Sequence, residues 1–497
     1  MKSKKVLLVT PNPQSEWRGL TPHVGQAYLA QTLHDNGIEC DVIDMNLGYK
    51  LKHINQKIED IHPDFLGLSL ISFEYRRFYD LLSAIKNIHP NMKIVVGGPH
   101  VTIMRDAVLR ECAAIDYGVV YEGENTLVEL CQGGLPEEEI KGLIFRRNEE
   151  ITYTGDRELA SDLDQIPWPK YDKYELDRYI GERTIYSSRG CPHQCIFCPN
   201  RIISPHYRSR SPENVVDEME YWYKKGCRQF NFDDDNFNLI SERVFAICDE
   251  IERRGLEHLV IRCSNGIRAD RVDREMLKRM RDVGFCYIAF GVDAGNNRML
   301  EVVKKGETIE QIDQAISYAC DLGYDVKLLF VVGTPYETRD DVEDKVKLTK
   351  KYPVQEVHFY NTIPTPGTEL FDWVKANDLF LEDPQEYLNH ASFWPSSWKP
   401  QSLTPVFYTP ELPAKERLEL FKYLTKVRRQ VHRDYLLRVL QRYPMIRSFT
   451  RNRAIGKLVS YLITNHFVER FFYQNIFIRR IIEGSRYRLS SKKTAAK

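Results

Sequence analysis

Arg189-Gly190-Cys191-Pro192-His193-Gln194-Cys195-Ile196-Phe197-Cys198 carries three cysteines spaced C-x3-C-x2-C. A tight loop with this spacing can turn several thiolates inward on one inorganic centre, and thiolates are the usual ligands of iron–sulfur clusters. Three thiolates leave one iron of a four-iron cluster without a protein ligand. An open iron invites a small molecule that carries an amino and a carboxylate group. Two blander readings stand beside this one. The cysteines could be part of a zinc site with His193 or His206 as fourth ligand, or they could be unligated thiols. No second ligand pair follows at the distance a structural zinc site would show.

Outward from the loop toward the C-terminus, strand-like runs recur every 30–40 residues with helical stretches between them. They are Thr184–Ser187, Gln229–Phe232, Leu259–Cys263, Cys286–Phe290, Val326–Val332 and Glu356–Tyr360. This alternation predicts a partial (β/α) barrel whose active site lies at the strand carboxyl ends. The unusual residues follow those ends: Asp233-Asp234-Asp235-Asn236-Phe237, Ser264-Asn265-Gly266-Ile267-Arg268, Phe290-Gly291-Val292-Asp293-Ala294-Gly295, Lys304-Lys305-Gly306, Val332-Gly333-Thr334-Pro335-Tyr336-Glu337-Thr338 and Pro364-Thr365-Pro366-Gly367-Thr368-Glu369-Leu370. Adjacent carboxylates repel unless they bind cations or amines. The blander account of the Asp run is a solvated acidic loop or a helix start with favourable N-terminal charge.

The cysteine spacing, with the aromatic Phe197 before the third cysteine, resembles the signature of the radical S-adenosylmethionine (SAM) enzymes. The resemblance implies a [4Fe-4S] cluster on Cys191, Cys195 and Cys198, SAM on its open iron, and reductive cleavage to a 5′-deoxyadenosyl radical. It also implies six barrel strands and a SAM pocket to which Phe197, Asp234, Asn265, Arg268, Asp293 and Lys305 contribute. Two positions depart from the family pattern. Asp293-Ala294 stands where Glu-Ser is common, and Tyr336 stands where glycine is common.

Upstream, short apolar runs alternate with helical periods: Val6–Val9, Asp41–Ile43, Leu66–Ile71, Ile94–Val96 and Gly118–Tyr121 read as buried strands. Thr21 is suited to cap the first helix, Pro22 to open it and Gly37 to end it. Such alternation predicts a doubly wound parallel (Rossmann-like) sheet with ligands beyond the strand carboxyl ends. The order Pro22-His23-Val24-Gly25, Asp44, Gly97-Gly98-Pro99-His100, Glu122-Gly123-Glu124 is similar to the cobalamin-binding domain that precedes many radical SAM cores. The resemblance implies a cobalamin site involving Ser69, Gly97, Gly98, His100, Glu122, Gly123 and Glu124. No D-x-H-x-x-G stretch follows the first strand, so a histidine below cobalt is not expected. A flavodoxin-like scaffold without cofactor is the plainer alternative.

Four regions follow: 1–145, a cobalamin-binding domain; 146–182, a linker with a hairpin near Asn148-Glu149-Glu150 and an extended Ile166-Pro167-Trp168-Pro169; 183–390, the radical core; and 391–497, a basic helical region. The whole reads as an α/β chain with a helical end. Residues 413–497 hold 21 Lys+Arg against 5 Asp+Glu, a net of +16, which leaves −16 for the first 412 residues. Helical patterns run from about Ala414 to Gln441 and from about Ile455 to Ile482. The second has an aromatic face and arginines between, so it could dock on the core or touch anionic lipid. The aromatics of Phe393–Pro400 could line a substrate mouth or pack on the barrel.

Eleven cysteines, an odd number without paired spacing outside the loop, argue for a reducing cytosol over a disulfide framework. No apolar run reaches about 18 residues, so a spanning helix is not expected. The protein is therefore expected in the cytoplasm, with peripheral contact to the inner membrane face left open. The resemblance implies modification of an unreactive carbon in a small or lipid-like substrate, with electrons from a flavodoxin- or ferredoxin-type donor. C-methylation is the preferred outcome. Ring closure of the anaerobic cyclase type, methylthio transfer to tRNA, and a non-catalytic cobalamin and iron–sulfur sensor are the alternatives. A nucleic-acid partner is not expected, although charge alone does not exclude one.

Overall fold

The computed structural model describes residues 4–12, 21–147, 149–391 and 404–440. Phe393–Pro400 and the second C-terminal helical pattern lie outside the described residues. The chain divides into two compact units. The first is Met1–Ile180 with Pro199–Ser209 and Asp383–Ala391; the second holds Gly181–Cys198, Arg210–Glu382 and the residues from 392 onward.

The first unit is built on seven strands: β1 (Val6–Thr10), β2 (Cys40–Asp44), β3 (Phe65–Ser69), β4 (Lys93–Gly97), β5 (Tyr117–Val119), β6 (Leu143–Arg147) and β7 (Glu150–Tyr153). They lie in the order β2-β1-β3-β4-β5-β6-β7. The first five pair in parallel. Their short apolar runs suit a sheet covered on both faces, and all five residues of β1 are buried. The order reverses direction between β1 and β3, which is where a doubly wound sheet opens a crevice for a ligand.

Two sequence expectations change here. The hairpin of β6 and β7 is not part of a free linker, because β6 pairs antiparallel with β5 and extends the sheet. Apolar Leu143, Ile144 and Phe145 are each at most 1% exposed, so the hairpin completes the core. The first helix spans Val24–Asp35, and its cap is His23, not Thr21: the His23 ring nitrogen accepts the Gln26 amide. Gly37, at φ 71°, does follow its end.

The main sheet of the second unit has six strands: β8 (Glu182–Ile185), β9 (Gln229–Phe232), β10 (Val260–Ile267), β11 (Phe285–Asp293), β12 (Asp325–Val332) and β13 (Glu356–Asn361). All pair in parallel, in sequence order. The connecting helices begin where caps are encoded. Ser211 precedes Pro212–Lys224, and capping boxes start Ile309–Asp321 at Thr308 and Arg339–Lys351 at Thr338. In β12, Val326, Leu328, Phe330 and Val332 are at most 1% exposed, whereas Lys327, Leu329 and Val331 alternate with them as half-buried residues. That period of two gives the sheet one apolar face under the helices and one more polar face. The helix Ala414–Leu440 matches its sequence expectation and packs against β13. No helix among the described residues is long and apolar enough to cross a membrane.

Candidate active site

The cysteine loop begins at Arg189, four residues after β8, and is held through its backbone groups at both ends. Gly190, at φ 85°, donates its N–H to Asp235 at 3.0 Å. Ile196 is buried; its N–H reaches the Val303 carbonyl at 3.2 Å, and its own carbonyl accepts from Leu370 at 2.9 Å. Cys191, Cys195 and Cys198 are half-buried and none is in a disulfide. Phe197 is likewise half-buried, so the loop's core anchor is Ile196.

Each member of the Asp run has a distinct task. Asp234, 1% exposed, accepts the Ser187 amide at 2.6 Å and the Ser187 hydroxyl, which commits both of its oxygens to the segment leading into the loop. Burial pushes its carboxyl up, against the opposing pull of Arg243 and Ser187. Asp233 takes the Tyr186 hydroxyl at 3.2 Å. Asp235 is the one that holds the loop itself.

Asn265 and Asp293 sit where their strands break register. β10 shifts between Cys263 and Ile267, and β11 shifts between Gly291 and Asp293. Such bulges re-aim side chains beside active sites. The Asn265 amide donates to the Asp234 carbonyl at 3.0 Å. Asp293 has φ 62°, a left-handed conformation that Asp tolerates better than most residues. Its carboxylate meets the Lys305 ammonium at 2.7 Å, with both residues under 10% exposed. Gly291 leaves room for this pair, because a Cβ there would stand 3.2 Å from Lys305 Nζ.

Arg268 donates to the Lys305 and Gly306 carbonyls at 2.9 and 3.0 Å and to Asp270 at 2.8 Å. Burial would lower the Lys305 ammonium, but Asp293 and Glu307 outweigh it and raise it. Burial pushes the Cys195 thiol up to about 11, while Lys305 and Arg268 pull it down and Asp293 adds to the rise. Phe197, Asp234, Asn265, Arg268, Asp293 and Lys305 therefore all belong to the surroundings of one loop in the second unit.

Sequence reasoning missed three members of this shell. Glu307 accepts the Ala269 amide at 2.8 Å, Asn238 bridges Arg268 from both sides, and the Asn236 amide stands 3.9 Å from Cys191 Sγ. Only Asn236 carried a signal, as part of the Asp run.

The residues present fit a cluster with a polar small molecule on its open corner. The donor set is three thiols. Three buried polar atoms nearby have no hydrogen-bond partner: Ser188 Oγ, His193 Nε2 and Asn236 Oδ1. Buried polar atoms left this way are costly unless a ligand satisfies them. Among the described residues, no three His, Cys, Asp or Glu side chains converge as ligands of a single ion.

In the first unit, the ends of β3 and β4 meet. Leu70 N–H reaches the Gly97 carbonyl at 2.8 Å, and a Cβ on Gly98 (φ 92°) would come 2.6 Å from Ser69 Oγ and 2.8 Å from the Leu70 carbonyl oxygen. Gly98 is thus required by the packing of these two loops. The His100 side chain is committed to the core. It is fully buried, stacks on Tyr75 at 4.7 Å, and bonds Tyr79 at 3.0 Å and Ser72 at 3.2 Å. Burial holds its pKa down at about 3. Glu122 is held by Arg208 through two bonds of 2.7 and 3.0 Å. Gly123 and Glu124 form the start of the helix Glu124–Gln132. Asp44 accepts from Asn46 and from the Tyr179 hydroxyl. Cys40 and Cys131 are core thiols that burial pushes up to about 12, not a second ligand set.

Residues 15–131 match the B12 binding domain, and residues 185–349 match the Radical SAM superfamily. An uncharacterized methyltransferase of Pyrococcus horikoshii is 31% identical over 395 residues, which is 77% of this chain and 85% of that protein. The anaerobic magnesium-protoporphyrin IX monomethyl ester cyclase of Cereibacter sphaeroides is 27% identical over 489 residues, covering 94% and 76%. The solved structure of the cobalamin-dependent S-adenosylmethionine radical enzyme OxsB, with aqua-cobalamin and S-adenosylmethionine bound, superposes with a TM-score of 0.70. It covers 99% of this chain and 80% of that one, at 16% identity, and so bears on the fold. With both domain families in this order, a three-thiol loop at the carboxyl end of a parallel sheet, and a relative matched over most of its length, the chain belongs to the radical SAM enzymes that carry a B12 binding domain ahead of the radical core.

Proposed function

We propose that this enzyme modifies an unactivated carbon of a small molecule, and that the modification is C-methylation. The observation that carries the proposal is the loop of Cys191, Cys195 and Cys198 with its shell of unsatisfied polar atoms, on a chain that also has a B12 binding domain. When bound, the cluster, SAM and cobalamin supply an electron, a 5′-deoxyadenosyl radical and a carried methyl group. The protein's part is to hold and shield. The three thiols grip the cluster, Asp235 and Ile196 fix the loop, and the Lys305–Asp293 pair with Arg268 sets the charge around Cys195. The polar face of the second sheet offers the substrate a buried lining. Tyr287 donates to Glu356 at 2.6 Å, His358 stands 3.3 Å from the same carboxylate, and Arg262 lies 4.0 Å over the Tyr287 ring. An external one-electron donor of flavodoxin or ferredoxin type completes the system.

Ring closure is the second reading, favoured by the cyclase relative, whose match spans 94% of this chain against 77% for the methyltransferase. The test is anaerobic incubation of the reconstituted protein with SAM and a strong reductant. Release of 5′-deoxyadenosine supports the radical reading, and its absence from fully loaded protein overturns it. S-adenosylhomocysteine formed alongside assigns methylation; its absence during turnover assigns ring closure. Cys195→Ala should remove the cluster's visible absorbance together with the 5′-deoxyadenosine.

A further inference from the structure

An electrostatic imbalance lies away from the cysteine loop, at the carboxyl ends of β12 and β13. Arg417, in the first turn of the helix Ala414–Leu440, is completely buried, and none of its three guanidinium nitrogens has a hydrogen-bond partner. One side of the guanidinium rests on Gly333, the residue after β12, where any Cβ would collide with it. Phe407 lies 4.5 Å away, measured from Cζ to the ring centroid.

The carboxylate whose charge acts on Arg417 is already committed. Glu337, fully buried, accepts from Lys345 with one oxygen and from the Gly333 amide with the other. Lys345, 1% exposed, also donates to the Val331 carbonyl at 2.6 Å. Two buried cations therefore share one buried carboxylate, and the excess is positive. Burial lowers the Arg417 guanidinium to about 10, with Glu337 opposing, so it stays charged at neutral pH.

A buried cation without a partner is unfavourable, and an anion bound beside it would offset that. Two further buried hydroxyls without partners, Thr334 Oγ1 and Thr365 Oγ1, follow the same strands. The guanidinium's planar fork suits a carboxylate or phosphate, which it binds with two parallel hydrogen bonds. The location is where barrels of this kind bind substrate. The same helix carries Arg428 three turns later, whose charge acts on Lys327 and His358 of the polar sheet face.

We propose that Arg417 is the receptor for an oxyanion of the substrate, a carboxylate or a phosphoryl group. The substrate class is therefore an anionic small molecule. The proposal rests on the radical reading only in taking the strand ends as the substrate side.

The experiment uses the full-length, cluster-loaded protein without SAM or reductant, so a failure here is separate from a failure of the radical chemistry. Thermal unfolding is followed in inorganic phosphate, in acetate and in chloride of matched ionic strength. Wild type should gain Tm saturably with phosphate or acetate, as a ligand of the native state requires, and Arg417→Met should lose that gain. A response to phosphate alone assigns a phosphoryl group, and one to acetate alone assigns a carboxylate. Arg417→Lys keeps the charge without the fork and should bind about tenfold more weakly. No anion-specific gain in wild type, or an equal gain in Arg417→Met, overturns the proposal. If Arg417→Met does not fold, Arg417→Lys decides: weakened binding supports the site and unchanged affinity overturns it.

Discussion

Lys305 stands in what the sequence presents as a basic turn, Lys304-Lys305-Gly306, yet its two lysines do unrelated things. Lys304 makes an exposed pair with Glu369, whereas Lys305 is buried between Asp293 and Glu307. Removing one partner of a buried pair leaves an uncompensated charge. Lys305→Met is therefore expected to destabilise the second unit by about 3–5 kcal/mol, while Lys304→Met stays within about 1 kcal/mol. Denaturant unfolding of the two variants side by side checks this. Glu122 also has a partner that the sequence does not announce. Its partner Arg208 is 86 positions away in sequence, and no local pattern could announce that pairing. Tyr336, the departure from the family's glycine, adopts φ 60° and packs edge-on against Trp373 at 5.7 Å. The left-handed turn thus survives the loss of the residue that usually permits it.

At the scale of elements, the first unit's parallel strands were legible because strands covered on both faces must be apolar nearly throughout. The hairpin β6–β7 was legible as a hairpin and misplaced as a linker. Its apolar start, Leu143-Ile144-Phe145, says that it is buried but not against what. Antiparallel addition to β5 is a long-range choice, and Phe145 on β6, 1% exposed within the first unit's core, is where it is made. Phe145→Ala should cost the first unit about 3–5 kcal/mol in equilibrium unfolding, which a residue in a free linker would not. The first helix teaches a smaller lesson. Thr21 and Pro22 are good start signals, but His23 takes the capping role two residues later, its ring nitrogen accepting the Gln26 amide.

At the scale of the molecule, each unit has its own sheet and its own buried core. The cysteine loop belongs to the second unit, so its occupancy should be felt there. Stripping iron from the anaerobic protein with a chelator should raise hydrogen exchange across 187–198, where three thiols lose their common partner. Protection of β1 to β5 should stay unchanged, because their hydrogen bonds and core lie wholly in the first unit. Hydrogen exchange with peptide-level readout measures both at once. The charge asymmetry toward the C-terminus falls largely on residues beyond 440, outside the described part of the chain.

The sequence alone determined the strands, their parallel sense and the three-thiol loop. It also placed the residues around that loop at strand ends. These are properties of local pattern and short spacing, written within a few tens of residues of one another. Only the tertiary structure decided which charges neutralise which. Asp234 holding Ser187, Lys305 between two acids, His100 sealed beside Tyr79, and Arg417 left without a partner are all matters of burial. The energy of a charge depends on what surrounds it in space, and the surroundings come from strands and helices far apart in the chain.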